Sequence, residues 1–359
     1  MRIFFFIISS FLLVSAYAKP ETETAAATSE NRVKEEKTED PVDAIMTHVA
    51  DANEFHIATV KGKHISIPLP CILFNKSTRK FSFFLSSSFH HEQEIDGYEM
   101  NHETGKIVDA ATGTRDTFID FSITKNVFTI LLAFVLLSMI FFSIKKSYTV
   151  RKNQPPKGLQ ALLEPVIQYL IDDVLKPNLK DKYEIFLPYI LSIFFFILGI
   201  NLIGLIPFFP GSANASGNIS FTFSLAFIAM LAINLNGSKD YWKHVFAMPG
   251  VPKGLLILLT PIEILGVLLK PAVLMLRLFG NITGGHIAVL SVMSLIFILG
   301  EMGKNMGGAV AGGALAIPIG LFVSALELFQ AFLQAYVFTL LTSVFIGMAM
   351  ESHEHAEHH

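Results

Sequence analysis

The residue most able to do chemistry in the apolar C-terminal third of the chain is Arg277. It lies between the apolar residues 272–276 and 278–279. A guanidinium stays charged in any protein environment, and placing it in the hydrocarbon of a bilayer costs roughly 2.5 kcal/mol or far more. Such a charge indicates a function, because an uncharged residue could hold helices together at a much lower cost.

Other polar side chains occur in the two apolar segments 254–300 and 314–350, and these are Glu263, Lys270, Asn281, His286, Glu327, Gln330 and Gln334. The glycine-rich residues between the two segments have the composition of a turn. Folding the chain about Gly303–Gly308 places Arg277 opposite Gln334. The same fold places His286 opposite Glu327, which predicts an antiparallel hairpin.

Histidine and glutamate can change charge near neutral pH when their surroundings allow it, whereas arginine cannot. Glu263 precedes Arg277, and His286 and Glu327 lie nearer the turn. Titratable groups on both sides of a fixed cation predict two partial proton paths that the cation separates. At about 100° per residue, however, His286 projects away from Arg277, which conflicts with this pairing unless the helix rotates locally at Gly284 and Gly285.

The composition is that of a membrane protein. Of the 359 residues, 52% are hydrophobic and only 16% are charged, against about 25% charged in soluble domains. The single cysteine, Cys71, excludes an intrachain disulfide. We expect no metal, no cofactor and no nucleic-acid partner.

The first 125 residues differ from the rest. Residues 1–18 resemble a secretory signal, with a basic start, a short apolar core and the Ala16–Ala18 cleavage pattern. Residues 19–40 have the composition of a disordered segment. Residues 41–125 form a small strand-containing extracytoplasmic module, with a hairpin around Lys61–Lys63 and a strand near Phe81–Phe84. The adjacent His90 and His91 could suggest a metal site, but on an extended chain they point to opposite faces, which favours an exposed loop.

The remaining chain, residues 126–351, predicts an all-α polytopic membrane domain with about five membrane helices. The apolar segments are 126–144, 183–207, 219–236, 254–300 and 314–350, and residues 159–175 have the period of an amphipathic surface helix. Lysine and arginine in the loops after the first and third segments predict that these loops are cytoplasmic. The last two segments, at ~1.5 Å per residue, are about twice the thickness of the hydrocarbon. Each therefore breaks, or the two form a long, strongly tilted antiparallel hairpin. Residues 352–359 are a cytoplasmic His-rich tail.

Three hydroxyl side chains near one end of residues 219–236, Ser220, Thr222 and Ser224, could line a water path. The alternative is that they bond to carbonyl groups of the preceding turn. We take Asn201, Asn218 and Ser220 as candidates for lining such a path.

Several motifs together resemble subunit a of the rotary ATP synthase in its bacterial form. They are RLFGN at 277–281, KP at 270–271, PIE at 261–263, LQAY at 333–336 and NLIGLIP at 201–207. The resemblance covers residues 126–351. It implies a non-catalytic, proton-conducting stator subunit of the bacterial inner membrane, whose hairpin packs against the ring of c subunits and which assembles with stator b subunits.

The resemblance also implies roles for individual residues. Arg277 corresponds to the essential arginine that faces the ring carboxylate and blocks a leak, and Gln334 to the glutamine facing that arginine. Glu263 corresponds to an acid of the cytoplasmic path, and Asn281 to a polar residue beside the arginine. His286 and Glu327 are exchanged relative to many bacterial members, and Gly204 stands where some members carry an acid.

Two other classes of protein remain as alternatives. A stand-alone channel or secondary transporter would favour inverted repeats, and the sequence has no convincing repeat. A membrane-embedded enzyme would need a motif such as H-E-x-x-H or G-x-S-x-G, and neither occurs in the sequence. The phosphate-binding sequence G-x-x-x-x-G-K-[ST] does not occur either.

Overall fold

The computed structural model describes residues 51–60, 63–90, 94–101, 106–152, 154–206, 209, 211, 213, 215–248, 250–300 and 305–351. The predicted signal, the predicted disordered segment, most of the predicted helix near residues 43–52 and the His-rich tail lie outside these residues. So do His91 and His102 of the weighed metal site.

The first unit is a small β module. Strands β1 (Glu54–Val60) and β2 (Lys63–Pro68) form an antiparallel hairpin, as predicted. Strands β3 (Pro70–Asn75), β4 (Phe81–Leu85) and β7 (Phe118–Asp120) form a sheet in the order β4-β3-β7. Strands β5 (Tyr98–Asn101) and β6 (Lys106–Asp109) form a second hairpin.

Alternation along β3 sends two of its side chains into the core of this module, because successive side chains of a strand point to opposite faces. The core residues are Cys71, Leu73, Phe89, Tyr98, Met100, Ile107 and Phe118. The prediction of a strand-containing N-terminal module is therefore confirmed.

Helix α1 (Lys125–Val150) begins directly after the module, where the hydroxyl of Thr124 accepts the N–H of Val127. Helix α2 (Leu159–Tyr169) continues into a π-helical stretch (Leu170–Leu175), α3 (Lys176–Leu179) and a 3-10 turn (Lys180–Lys182). Helix α4 (Tyr183–Gly204) follows. The amphipathic pattern predicted for 159–175 holds from Leu163 onward, because Leu163 and Val166 pack against the core that contains Leu170 and Val174. It fails at the start, where Leu159 is exposed and Gln160 is buried.

Helix α5 (Ile219–Leu235) and the short helix α6 (Lys239–Phe246) meet at a bend of 106°. The side chains of Asn218 and Ser238 cap their first turns by accepting N–H groups of Ser220 and Tyr241. Counted together, this pair gives the described residues up to five candidate membrane spans, and four without it.

The last two helices, α7 (Lys253–Leu299) and α8 (Met306–Met350), are continuous over 47 and 45 residues. The expectation that residues 300–313 form a turn is therefore wrong in its second half, since α8 already begins at Met306. The two helices pack antiparallel, and glycines allow close contact. A Cβ at Gly312 would lie 3.0 Å from the carbonyl of Leu295, and one at Gly320 would overlap Met293.

The membrane helices share one core, and α4 contributes most to it. Its residues Ile190, Phe194, Ile197 and Ile200 are at most 1% exposed. Helices α5, α7 and α8 add Ala229, Leu278 and Phe338 among others. This core holds α7 and α8 against α4 and α5 on one side only, which leaves the other side of the hairpin without cover from the described chain.

Candidate functional site

Arg277 lies on the uncovered side of α7. Its neighbours on the helix, Leu274 and Leu278, are buried at 1% and 0% exposure, whereas Arg277 and Leu276 are exposed. Within the described part of the chain, the guanidinium of Arg277 makes no hydrogen bond or ion pair. The fold therefore presents a permanent cation on an apolar surface and supplies no anion for it.

Glycines keep the space beside Arg277 open. A Cβ added at Gly280 or Gly284 would meet no atom of the described chain within 4 Å. Gly284 lies on the same face as the arginine, since seven residues are close to two helical turns. An approaching helix from another chain would meet bare backbone here.

The amide of Gln334 pairs with Asn281 rather than with Arg277. The Nδ2 atom of Asn281 donates to Oε1 of Gln334 at 2.8 Å, and Gln334 is only 2% exposed. Gln334 therefore bonds to the residue one helical turn beyond the partner that the turn predicted. Asn281 is exposed and lies one turn from Arg277, so it borders the arginine on the hairpin surface, whereas its partner Gln334 is buried.

The predicted contact between His286 and Glu327 is confirmed. Atom Nδ1 of His286 lies 3.7 Å from Oε1 of Glu327, with the two side chains 20% and 11% exposed. No local break in the helix is needed, because Gly285 provides the space. A Cβ at Gly285 would lie 2.7 Å from Oε1 of Glu327 and 3.0 Å from its Cγ.

A small cavity of about 10 Å³, roughly the room that one water molecule needs, lies beside this pair. It is lined by Asn201, Leu205, Asn281, Ile282, His286, Glu327, Gln330 and Ala331. Asn201, from α4, is buried, and its Nδ2 donates to the carbonyl of Ala331 at 3.4 Å. Polar side chains of α4, α7 and α8 therefore line one cavity between these helices.

Gly204, on α4, lies close to His286. A Cβ at this position would lie 4.0 Å from Nε2 of His286 and 3.3 Å from the carbonyl of Ala213. A Cβ here would therefore be in ordinary contact with the imidazole of His286 and in a tighter contact with the Ala213 carbonyl.

Glu263 is far from this cavity. It precedes Arg277 on the same helix by about 21 Å of helical rise. It lies close enough to Lys270 and Tyr241 for electrostatic interaction. The ammonium of Lys270 lies over the rings of Tyr241 and Phe345, at 5.8 and 5.4 Å from their centres. A second polar cluster, formed by Glu263, Lys270 and Tyr241, therefore lies toward the other end of α7.

Two of the three hydroxyl side chains near the start of α5 bond to carbonyl groups of the preceding turn. Thr222 donates to the carbonyls of Asn218 and Ile219, and Ser224 donates to that of Ser220 at 2.7 Å. For Thr222 and Ser224, these bonds confirm the alternative that the hydroxyl groups bond to carbonyl groups of the preceding turn. Asn218 caps α5, and Ser220 does not line the cavity.

Two residues of the site were not predicted. The hydroxyl of Ser216 donates to Oδ1 of Asn201 at 2.6 Å, and Tyr241 lies beside Lys270. Ser216 lies in an uncharged loop, where one serine resembles any other, and Tyr241 lies in a short polar helix. Among the described residues, no three His, Cys, Asp or Glu side chains are grouped as a metal site would need.

The fold and the site together define a multi-pass membrane protein with a polar, titratable cavity between long apolar helices and an uncompensated cation beside it. The chain belongs to the ATP synthase A chain family, which matches residues 127–347. The resemblance seen in the motifs is thereby confirmed. A second family, described as a domain of unknown function (DUF8433), matches residues 44–126, the β module.

Curated relatives agree with this assignment. The chain is 45% identical over 239 residues to ATP synthase subunit a 2 of Chlorobaculum tepidum, an alignment that covers 64% of each chain. It is 38% identical over 276 residues to ATP synthase subunit a of Chloroherpeton thalassium, covering 75% of this chain and 78% of the relative. A relative from Anaeromyxobacter with the same name is 35% identical over 250 residues, and 57% of its length is covered. The chain thus spans slightly less than two thirds of the first of these relatives.

Proposed function

We propose that this chain is the proton-conducting stator subunit of the membrane sector of an ATP synthase. The observation that carries the proposal is the exposed Arg277, which has no anionic partner among the described residues. A cation on an apolar membrane surface needs an anion, because desolvation without a partner is costly. The resemblance supplies that anion as a carboxylate on a ring of c subunits that passes the hairpin.

The cavity around His286 and Glu327 is the outer proton path in this proposal. An imidazole and a carboxyl group 3.7 Å apart can pass a proton between them, directly or through one water. The buried amide of Asn201 lines the same cavity. From here a proton reaches the ring carboxylate on the open side of the hairpin, past Asn281 and Gln334.

Glu263, with Lys270 and Tyr241 nearby, forms the cytoplasmic path. Arg277 lies between the two paths along α7. Its positive charge repels a proton moving directly from one path to the other and attracts the carboxylate once that group has lost its proton. Movement therefore requires the ring to turn, which couples proton flow to rotation and ATP synthesis by the holoenzyme. The chain itself carries out no catalysis.

The same proposal specifies the partners of the chain and its orientation in the membrane. The hairpin of α7 and α8 lies strongly tilted against the c ring, and stator b subunits bind elsewhere on the membrane domain. The chain crosses the bacterial inner membrane, with the β module outside and the C-terminus in the cytoplasm. The basic residues Lys145 and Lys146, near the end of α1, and Arg151, directly after it, support this orientation.

A stand-alone channel or transporter fits the site less well. Such a protein would enclose its charged residues around a central path within its own chain. Arg277 instead lies on the outside of the helix bundle, which favours a site completed by another chain.

The test is ATP-driven proton pumping by the assembled complex in membrane vesicles. We expect Arg277→Ala to abolish pumping while the complex still assembles, because the barrier and the partner of the ring carboxylate are both lost. Arg151→Ala, which removes an exposed arginine at the end of α1, serves as the matched control and should pump normally. Normal pumping by Arg277→Ala would refute the assignment.

A further inference from the structure

The β module is joined to the first membrane helix by hydrogen bonds from main-chain N–H groups of the helix to one side chain and one carbonyl group of the module. The carboxylate of Asp51 accepts the N–H of Asn126 at 3.3 Å, and the carbonyl of Ala52 accepts the N–H of Lys125 at 3.0 Å. These bonds satisfy N–H groups of the first turn of α1, which have no partner within the helix itself. The start of the module therefore caps the start of α1.

A second joint is aromatic and involves the residues between α4 and α5 that the structure describes, 205–206, 209, 211, 213 and 215–218, which we call the α4–α5 segment. The ring of Phe55 from β1 lies 5.6 Å from Phe128 of α1 and 5.3 Å from Phe209 of this segment. Phe55 and Ala213 are 2% and 1% exposed and share one apolar cluster with Leu69. The module thus covers one side of the α4–α5 segment with large buried side chains.

The same segment also contacts a residue that lines the polar cavity. Ser216 donates its hydroxyl to Asn201 at 2.6 Å, and Asn201 lines the cavity with His286 and Glu327. The carbonyl of Ala213 lies against Gly204, which in turn borders His286. Within the described residues, only this short segment separates the aromatic joint from the amide of Asn201.

We propose that the β module acts as a clamp on the outer proton path. By holding the α4–α5 segment through Phe55, it keeps Ser216 bonded to Asn201 and so fixes the amide that faces the titratable pair. This gives the domain of unknown function a role in positioning the path. Phe55 is a positioning residue, since it acts through Ser216 and Asn201. The inference rests on the proposed function, because it assumes that the cavity carries protons.

The first test follows the α4–α5 segment directly in the assembled complex. In a Cys71→Ser background, Ser216→Cys introduces a buried thiol, and its reaction with a water-soluble maleimide reports opening of the segment. Phe55→Ala should raise the labelling rate by about tenfold, because the loss of a buried aromatic side chain exceeds the free energy of a tenfold shift. Phe83→Ala, in the same module but 70% exposed, is the matched control and should leave labelling unchanged. A second buried thiol from Ser343→Cys, on α8, should stay unlabelled in all variants.

The second test measures passive proton conduction through the membrane sector with the native Ser216. Phe55→Ala should lower conduction severalfold with normal assembly, and Phe83→Ala should not. Phe55→Leu, which keeps apolar volume at the joint, should restore most of the conduction. If Phe55→Ala prevents assembly, Phe55→Leu becomes the test and should shift labelling and conduction in the same direction by a smaller amount.

Several results would contradict the proposal that the β module holds the α4–α5 segment and positions the proton path. Labelling and conduction in Phe55→Ala equal to those in Phe83→Ala would show that the module does not hold the segment. Increased labelling with unchanged conduction would show that the held segment does not position the path. Increased labelling at both thiols would indicate general loosening instead. Normal pumping by Arg277→Ala would refute the proposed function, whereas the labelling result would still report whether Phe55 holds the segment.

Discussion

Gly285 offers a sharp test of the pair formed by His286 and Glu327. Replacing it by alanine adds a Cβ that would lie 2.7 Å from Oε1 and 3.0 Å from Cγ of Glu327, whereas ordinary contacts are 3.4–4 Å. Overpacking of this kind costs typically ~1–3 kcal/mol if nothing moves. The carboxyl group is at the end of a flexible side chain, so we expect it to rotate away from the added Cβ.

The consequence is specific to function. A penalty of ~1–3 kcal/mol reduces the population of the present Glu327 conformation by roughly 5- to 150-fold. We therefore expect passive proton conduction through the assembled membrane sector to fall about tenfold or more. Assembly should be unaffected, because alanine favours a helix over glycine by roughly 0.5–1 kcal/mol. Conduction is measured as decay of a proton gradient in vesicles stripped of the catalytic sector.

Gly313→Ala is the matched control for this experiment. It changes glycine to alanine in the other helix of the hairpin, where the new Cβ would first meet a side-chain atom of Ile317 at 4.0 Å. Both variants gain the same helix propensity, so they differ only in the contact with Glu327. If Gly285→Ala conducts protons as well as Gly313→Ala, the position of the Glu327 carboxyl group does not limit conduction.

Three further predictions concern stability. Asn281→Ala leaves the buried amide of Gln334 without its partner and should lower the free energy of unfolding by ~1–3 kcal/mol, measured by denaturation of the detergent-purified complex. Gly347→Ala should lower the thermal midpoint of the complex, because the added Cβ would overlap the backbone of Asn178. Burial raises the pKa of the Cys71 thiol to about 12 from an ordinary value of 9.0. The folded module therefore holds this proton more tightly than the unfolded chain does. The resulting stability is complete below about pH 9 and is lost as pH rises toward 12, which protease resistance of the module in the full complex would follow.

Each of these predictions has a control within the chain. Asn236→Ala removes an exposed amide that, among the described residues, bonds to its own helix alone, and should cost far less than Asn281→Ala. Gly313→Ala again controls for the change from glycine to alanine, and equal midpoints for it and Gly347→Ala would contradict the packing argument. Cys71→Ala should remove the loss of module stability between about pH 9 and 12. An unchanged pH dependence in that variant would assign the loss to other groups.

Several elements could be predicted from the sequence because they depend on local properties. The hairpin of β1 and β2, the start of α1, both limits of α5, and the two long apolar helices follow from side-chain alternation and apolar length. The end of α1 was placed six residues too early, because the helix continues through Lys145 and Lys146 to Val150. The contact of His286 with Glu327 could also be predicted, since two residues equally far from one turn meet when both helices are regular. The start of α8 was placed too late, because glycines that favour a turn by composition instead allow the two helices to pack closely.

The sequence by itself determined that the chain is a membrane protein, that Arg277 is an improbable charge in an apolar helix, and that an acid and a histidine accompany it. These facts follow from residue type and covalent order. Only the tertiary structure decided that Gln334 bonds to Asn281, that Ser216 reaches Asn201, and that Phe55 of the module packs on the α4–α5 segment. The physical reason is that apolar faces are chemically alike along such a chain. Which of them meet depends on where glycines allow close approach and where buried polar groups can find a partner.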